Sequence, residues 1–166
     1  MLYIKSGRLY TLSFSFELPE DMCFVSDPSV VSPDTVIVET YDGRFQIDIG
    51  AAEFEKTPYA EVAQILAYDE NEHIGNIFPV ERNGMNGYAS YYRNSGWSYE
   101  YYEERLGYPM NSEGQNGFVL AITHEVENDE QRDQIEAFMK RDNIKRMIES
   151  IRYEPEVCAR VMEQIE

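Results

Sequence analysis

Apolar and polar residues alternate from Arg8 to Leu18, RLYTLSFSFEL. A period of two places Tyr10, Leu12, Phe14, Phe16 and Leu18 on one side, with Leu9, Thr11, Ser13 and Ser15 on the other. The stretch therefore reads as one half-buried strand with the first set inward. Pro19 and Glu20-Asp21 end it, and residues 26–34, with two prolines, read as a loop. Next, 35–41 and 44–49 flank Asp42-Gly43, a dipeptide suited to the positive backbone angles of a type I′ hairpin. Phe45, Ile47 and Ile49 share the apolar face of the second strand.

The period then changes. Tyr59, Val62, Ala63, Leu66 and Ala67 recur at helical spacing behind Thr57-Pro58, a capping residue followed by proline at the first helical position. Residues 74–80 return to a strand, at an edge because Pro79 has no N–H for a ladder. Asn83-Gly84 signals a turn, and Asn86-Gly87 offers a second. Residues 88–93 and 97–105 form a hairpin around Asn94-Ser95-Gly96. Residues 118–126, apolar on both sides in the first half, predict a central strand. Asn128 and Gln131 form a capping box for a helix with Ile135, Phe138 and Met139 in its stripe. Asp142-Asn143 interrupts it before a segment carrying Ile144, Met147, Ile148 and Ile151. A last helix opens near Pro155, with Val157, Cys158, Val161, Met162 and Ile165 on one face.

The order β–ββ–α–β–ββ–β–α–α, joined mainly by hairpins, predicts the α+β class. A central, mostly antiparallel sheet is flanked by helices in an αβα sandwich. The 166 residues fit a single domain, with 8–152 the core sandwich and 153–166 a C-terminal helical extension.

Composition narrows the function classes. No apolar run approaches the ~20 residues of a membrane helix. The opening residues carry neither a continuous apolar block nor a small-residue cleavage site, so a cytoplasmic protein without membrane insertion is expected. Cys23 and Cys158 make no disulfide framework and no metal spacing. Thirty-one Asp and Glu against 14 Lys and Arg leave a net charge of −17. That disfavours nucleic acid and anionic membranes, whose binding runs on cationic neutralisation of phosphates, and permits a basic protein partner.

The layout resembles the PsbP-like group, which takes in Mog-type and DcrB-type proteins. The parallels are the opening strand running into Pro19 and Glu20, the helix over Thr57 to Tyr68, a Gly-containing hairpin, and a closing helix ending Met147-Ile148-Glu149-Ser150-Ile151-Arg152. They extend over about residues 9–152. The resemblance implies an αβα sandwich and a binding or assembly role rather than catalysis, with no particular partner.

The most concentrated signal is aromatic. Seven tyrosines and the only tryptophan lie between Tyr88 and Tyr108. A three-residue loop at 94–96 pairs Arg93 with Trp97 and Tyr91 with Tyr99. It gathers Ala89, Tyr91, Arg93, Trp97, Tyr99 and Tyr101 on one face, with Arg93 stacked on the indole. A two-residue loop at Ser95-Gly96 gathers Tyr88, Tyr92, Trp97, Tyr99 and Tyr101 instead, because one step of slip flips every side chain. Tyr91, Tyr92, Arg93, Trp97, Tyr99, Tyr101 and Tyr102 are the candidate partner-binding residues. Glu100, Glu103 and Glu104 with Arg105 read as a charged edge strand.

No catalytic residue, metal site or cofactor is predicted. His73 and His124 have no convergent ligands, and Cys23 sits among acids, without the electropositive setting a nucleophilic thiol needs. Three function classes follow. The first is a non-enzymatic binding or assembly factor using the aromatic sheet surface. The second is an immunity-type inhibitor of a basic toxin, suggested by the charge. The third is an enzyme with a Tyr/carboxylate pocket.

Overall fold

The chain reverses twice where its alternation looks unbroken. Ser6 and Gly7 both take positive φ, 51° and 76°, the angles of a tight hairpin whose twist suits its strands. They join β1 (Tyr3–Lys5) to β2 (Arg8–Tyr10), with Ile4 opposite Leu9. The second reversal lies inside the stretch expected as one strand. Thr11 Oγ1 accepts from the N–H groups of Ser13 and Phe14 at 3.2 and 3.0 Å, and the Thr11 N–H donates to the Phe14 carbonyl at 2.9 Å. This side-chain turn replaces ladder bonds and separates β2 from β3 (Phe14–Glu17). Reversal resets the parity. Leu9, Phe14 and Phe16 are buried, while Leu12, expected inward, is exposed at the turn.

The computed structural model describes residues 2–25, 35–54, 58–67, 72–73, 77–94, 96–104, 115–124 and 131–165. The expected loop at 26–34, the caps at Thr57 and Asn128 and the strand start at 74–76 lie outside them. After β3 come β4 (Met22–Phe24), β5 (Thr35–Thr40), β6 (Gln46–Phe54) and α1 (Pro58–Leu66). Next are β7 (Glu72–His73), β8 (Phe78–Arg82), β9 (Met85–Asn94), β10 (Gly96–Glu104) and β11 (Gln115–His124). The chain closes with α2 (Gln131–Met139), α3 (Asp142–Ser150), β12 (Arg152–Tyr153) and α4 (Pro155–Glu163).

Among the described residues there are two sheets, and every pairing in them is antiparallel. The four-stranded sheet runs β1-β2-β3-β12. The eight-stranded sheet runs β4-β5-β6-β11-β10-β9-β7, with β8 also on β9. The expected central place of β11, between β6 and β10, is found. β8 pairs only with β9, which leaves Pro79 at an edge.

The inner face of the large sheet carries Val36, Val38, Ile47, Ile49, Tyr99, Tyr101 and Ala89, all buried. It packs against α2, through Ile135 and Phe138, and against the apolar side of the small sheet. Phe45 continues that face and stacks on Phe138, ring centroids 4.1 Å apart. α1 lies on the opposite face, against β9 and β10. Its Val62 is buried, but Tyr59, expected on the buried stripe, is 52% exposed and meets Tyr88 edge-on.

Turn chemistry differs from expectation at two places. The β5–β6 register is the one Asp42-Gly43 sets, yet only Gly43 takes positive φ. The Asp42 carboxylate instead accepts from the Thr40 hydroxyl at 2.6 Å and the Arg44 N–H at 3.0 Å. Asn83 and Gly84 do form the tight hairpin, at φ 50° and 77°. Asn86-Gly87 is no turn but lies within β9, where an added Cβ at Gly87 would meet the Tyr101 ring and the Tyr102 carbonyl oxygen at 2.6 Å.

The end of α3 fastens the layers together. Helix C-termini leave carbonyls without intrahelical partners and favour cations. Here Arg8 Nη2 donates to the Ser150 carbonyl at 2.6 Å, Asn83 Nδ2 to that of Glu149 at 2.6 Å, and Arg82 Nη1 to that of Ile151 at 2.8 Å. Ser150 Oγ accepts from the Glu17 N–H at 2.8 Å. Ile151 is buried, and Arg152 then pairs with Ser15 in the small sheet. The Ser150-Ile151-Arg152 ending is thus a fastening point between helix and both sheets.

Candidate functional site

The tyrosine hairpin takes the three-residue register. Arg93 lies opposite Trp97, Tyr91 opposite Tyr99, and Ala89 opposite Tyr101. Cross-strand partners share a face, so strand parity sorts the candidate residues into two groups.

Trp97, Tyr99 and Tyr101 face inward and are buried at 3%, 4% and 2% exposure. They belong to the core, so a partner cannot meet them directly. The Trp97 indole N–H has no hydrogen-bond acceptor among the described residues. Tyr91 is half-buried on the same face, its ring 5.1 Å from Tyr99 and 5.9 Å from Phe78. Arg93 stands between Trp97 and Glu72 in the ladder, and its side chain, with the expected indole contact, lies outside the described residues.

Tyr92 and Tyr102 face the other way, with Tyr88 and the carboxylate of Glu100. Tyr92 donates to Glu100 Oε2 at 2.6 Å and Tyr102 to Oε1 at 3.1 Å. Asp48 sits on the same face two strands over, because Glu100 pairs with Ala121 and Ala121 with Asp48. Burial raises the Glu100 pKa, and the two tyrosine hydroxyls only partly offset it. Burial also raises that of Asp48. Tyr92 is pushed well above the ordinary phenol value by burial, then by the Glu100 charge. The Tyr92 hydroxyl is therefore held as a neutral donor at physiological pH.

The reading of Glu103 as part of a solvated edge is corrected. β10 lies between β9 and β11, and Glu103 is buried. It receives hydrogen bonds from Tyr101 Oη and from both Arg82 Nη2 and Nε, the last at 3.0 Å. A buried carboxylate needs a partner of this kind. Arg82 went unnoticed in the sequence. The one available signal was parity, which sets Glu103 on the side of Tyr99 and Tyr101, and it does not point to Arg82 as the partner.

The remaining candidates separate. Cys23 is half-exposed, Cys158 is buried, and both are free thiols. His73 lies in β7 and His124 ends β11, with side chains outside the described residues. Among the described residues no cluster of three His, Cys, Asp or Glu could hold a metal ion. None of the described helices is long and apolar enough to cross a membrane.

One helix, a large antiparallel sheet, then helices with a small sheet define an α+β sandwich whose fold is like that of PsbP. The solution structure of cyanobacterial PsbP (CyanoP) from Synechocystis sp. PCC 6803 shows the likeness. It aligns with a TM-score of 0.51 over 92% of this chain and 91% of that one. At 11% sequence identity the likeness is one of fold. No family model and no curated protein matches the chain.

Proposed function

We propose that this chain is a non-enzymatic binding or assembly protein whose contact surface joins Tyr59 on α1 to the outward tyrosines of the hairpin beside it. One observation carries the reading. Tyr59 on α1 is half-exposed and braced edge-on by Tyr88, beside Tyr92 and Tyr102, whose hydroxyls are fixed by Glu100. Aromatic rings with ordered polar tips are the composition of interface centres. The PsbP-like fold and the wider resemblance to Mog-type and DcrB-type proteins support a binding role. In this reading Trp97, Tyr99 and Tyr101 stiffen the surface from beneath, and Tyr91 and Arg93 border it. The partner is another protein met in the cytoplasm.

A photo-crosslinking residue at position 59 tests the reading in the native host, with the same residue at position 3 as control. A discrete adduct at 59 that Tyr92→Ala and Tyr102→Ala abolish is the expected result. Equal yields at both positions would remove the surface. The net charge of −17 favours a second reading, an immunity-type inhibitor of a basic toxin. Association that weakens steeply with salt, and a toxin gene beside this one, are its expected signs.

A further inference from the structure

A groove of about 500 Å³ opens between α3 and the link from β3 to β4, away from the tyrosine hairpin. Leu18, Pro19 and Met147 line its base. Glu17, Glu20 and Asp21 are exposed along one wall, with Asn143 and Arg146 on the other. Asn143 Nδ2 donates to Asp21 Oδ1 at 2.9 Å and joins the walls at one end. The link is held in place: Glu17 N–H is bound to Ser150 Oγ, Leu18 N–H to the Gly7 carbonyl at 2.9 Å, and Met22 N–H to that of Pro19 at 3.1 Å.

The electrostatics are unbalanced. Three carboxylates face one guanidinium, and among the described residues Arg146 makes no ion pair with any of them. An apolar base under a carboxylate rim matches a side chain with an aliphatic stem and a cationic tip. The volume lies within the range of specific ligand sites. We infer that this groove receives a lysine or arginine side chain presented by a segment of a partner protein. The hairpin surface proposed above is not needed for this contact.

The test uses a short peptide with acetylated and amidated ends and one lysine between two leucines, titrated into the whole protein and followed by amide NMR shifts. Saturable shifts at Leu18 and Asn143 are expected, with affinity lost about tenfold or more in the Glu20→Gln, Asp21→Asn double variant. The peptide with its lysine ε-acetylated should not bind. A control variant, Glu156→Gln with Glu163→Gln on α4, separates the groove from the general negative field and should bind as wild type. Both changes fall on exposed side chains, and an unchanged urea midpoint shows that the fold is intact. The inference is overturned by equal binding of the acetylated peptide, by an equal loss in the α4 variant, or by no saturable shift at the groove.

Discussion

Glu100 and Glu103 stand on one strand, each bonded to a tyrosine, and meet opposite fates. Glu103 faces the core, with Arg82 and Tyr101 as partners. Glu100 faces outward beneath α1, with tyrosine hydroxyls as partners and Asp48 as a like-charged neighbour. A buried charge held by an opposite charge is structural cement, and its loss strands the partner. A half-buried charge held by neutral donors is a strained group that gains from a proton. An odd step along β10, from position 100 to position 103, is all that puts the two on opposite faces.

The sharpest way to break the contrast is Arg82→Ala. It leaves Glu103 charged and unpaired in the core and removes a ligand of the α3 terminus, so a loss of about 3–5 kcal/mol in urea unfolding is expected. Arg82→Met with Glu103→Leu should recover much of it, because both charges then leave together. Glu100→Gln should cost far less than either single change at the buried pair.

Gly87→Ala is next. Its Cβ would press on the Tyr101 ring and the Tyr102 carbonyl, the backbone between the two acids. Overpacking of this kind costs about 1–3 kcal/mol, read as a lower urea midpoint.

The third prediction concerns pH. Glu100 and Asp48 bind protons more tightly folded than unfolded, since burial raises both pKa values above their ordinary 4.5 and 3.8. The folded state then carries the extra protons, and their contribution is complete below those ordinary values. It is lost as pH rises through the raised folded values. Glu100→Gln with Asp48→Asn should flatten that fall in unfolding titrations.

The smallest effect is expected at Tyr59→Ala, within about 0.5 kcal/mol by thermal unfolding, as for an exposed side chain with few contacts. A larger loss would mean that Tyr59 is needed to hold α1 on the sheet.

Period and turn residues made much of this legible. Hairpin registers at Asp42-Gly43 and Asn83-Gly84, the central place of β11, the restart of a second helix at Asp142-Asn143 after a break two residues earlier than expected, and the inward set Phe45, Ile47 and Ile49 all follow from local pattern. The failures have physical reasons. Thr11 closes a turn with its hydroxyl, and alternation cannot register a reversal made by a side chain. Ser6 takes a backbone angle more often given to Asn or Gly. Gly87 resembles a turn glycine but is there for the approach of Tyr101. In the aromatic hairpin the register was one of two readable choices. The depth of Glu103 was not, because its partner lies 21 positions away and only the completed sheet brings Arg82 to it.

The fastening of α3 has a kinetic meaning. Its terminal carbonyls and Ser150 are held by groups at positions 8, 17, 82 and 83, from both sheets. These bonds join residues 142, 133, 69 and 66 positions apart. The last turn of the helix therefore completes only after most of the polypeptide has come together. Such long closures slow folding and make opening cooperative. The amides of Ile151 and Glu17 should exchange with solvent only when the whole molecule opens, so two sheets that look separable behave as one unfolding unit.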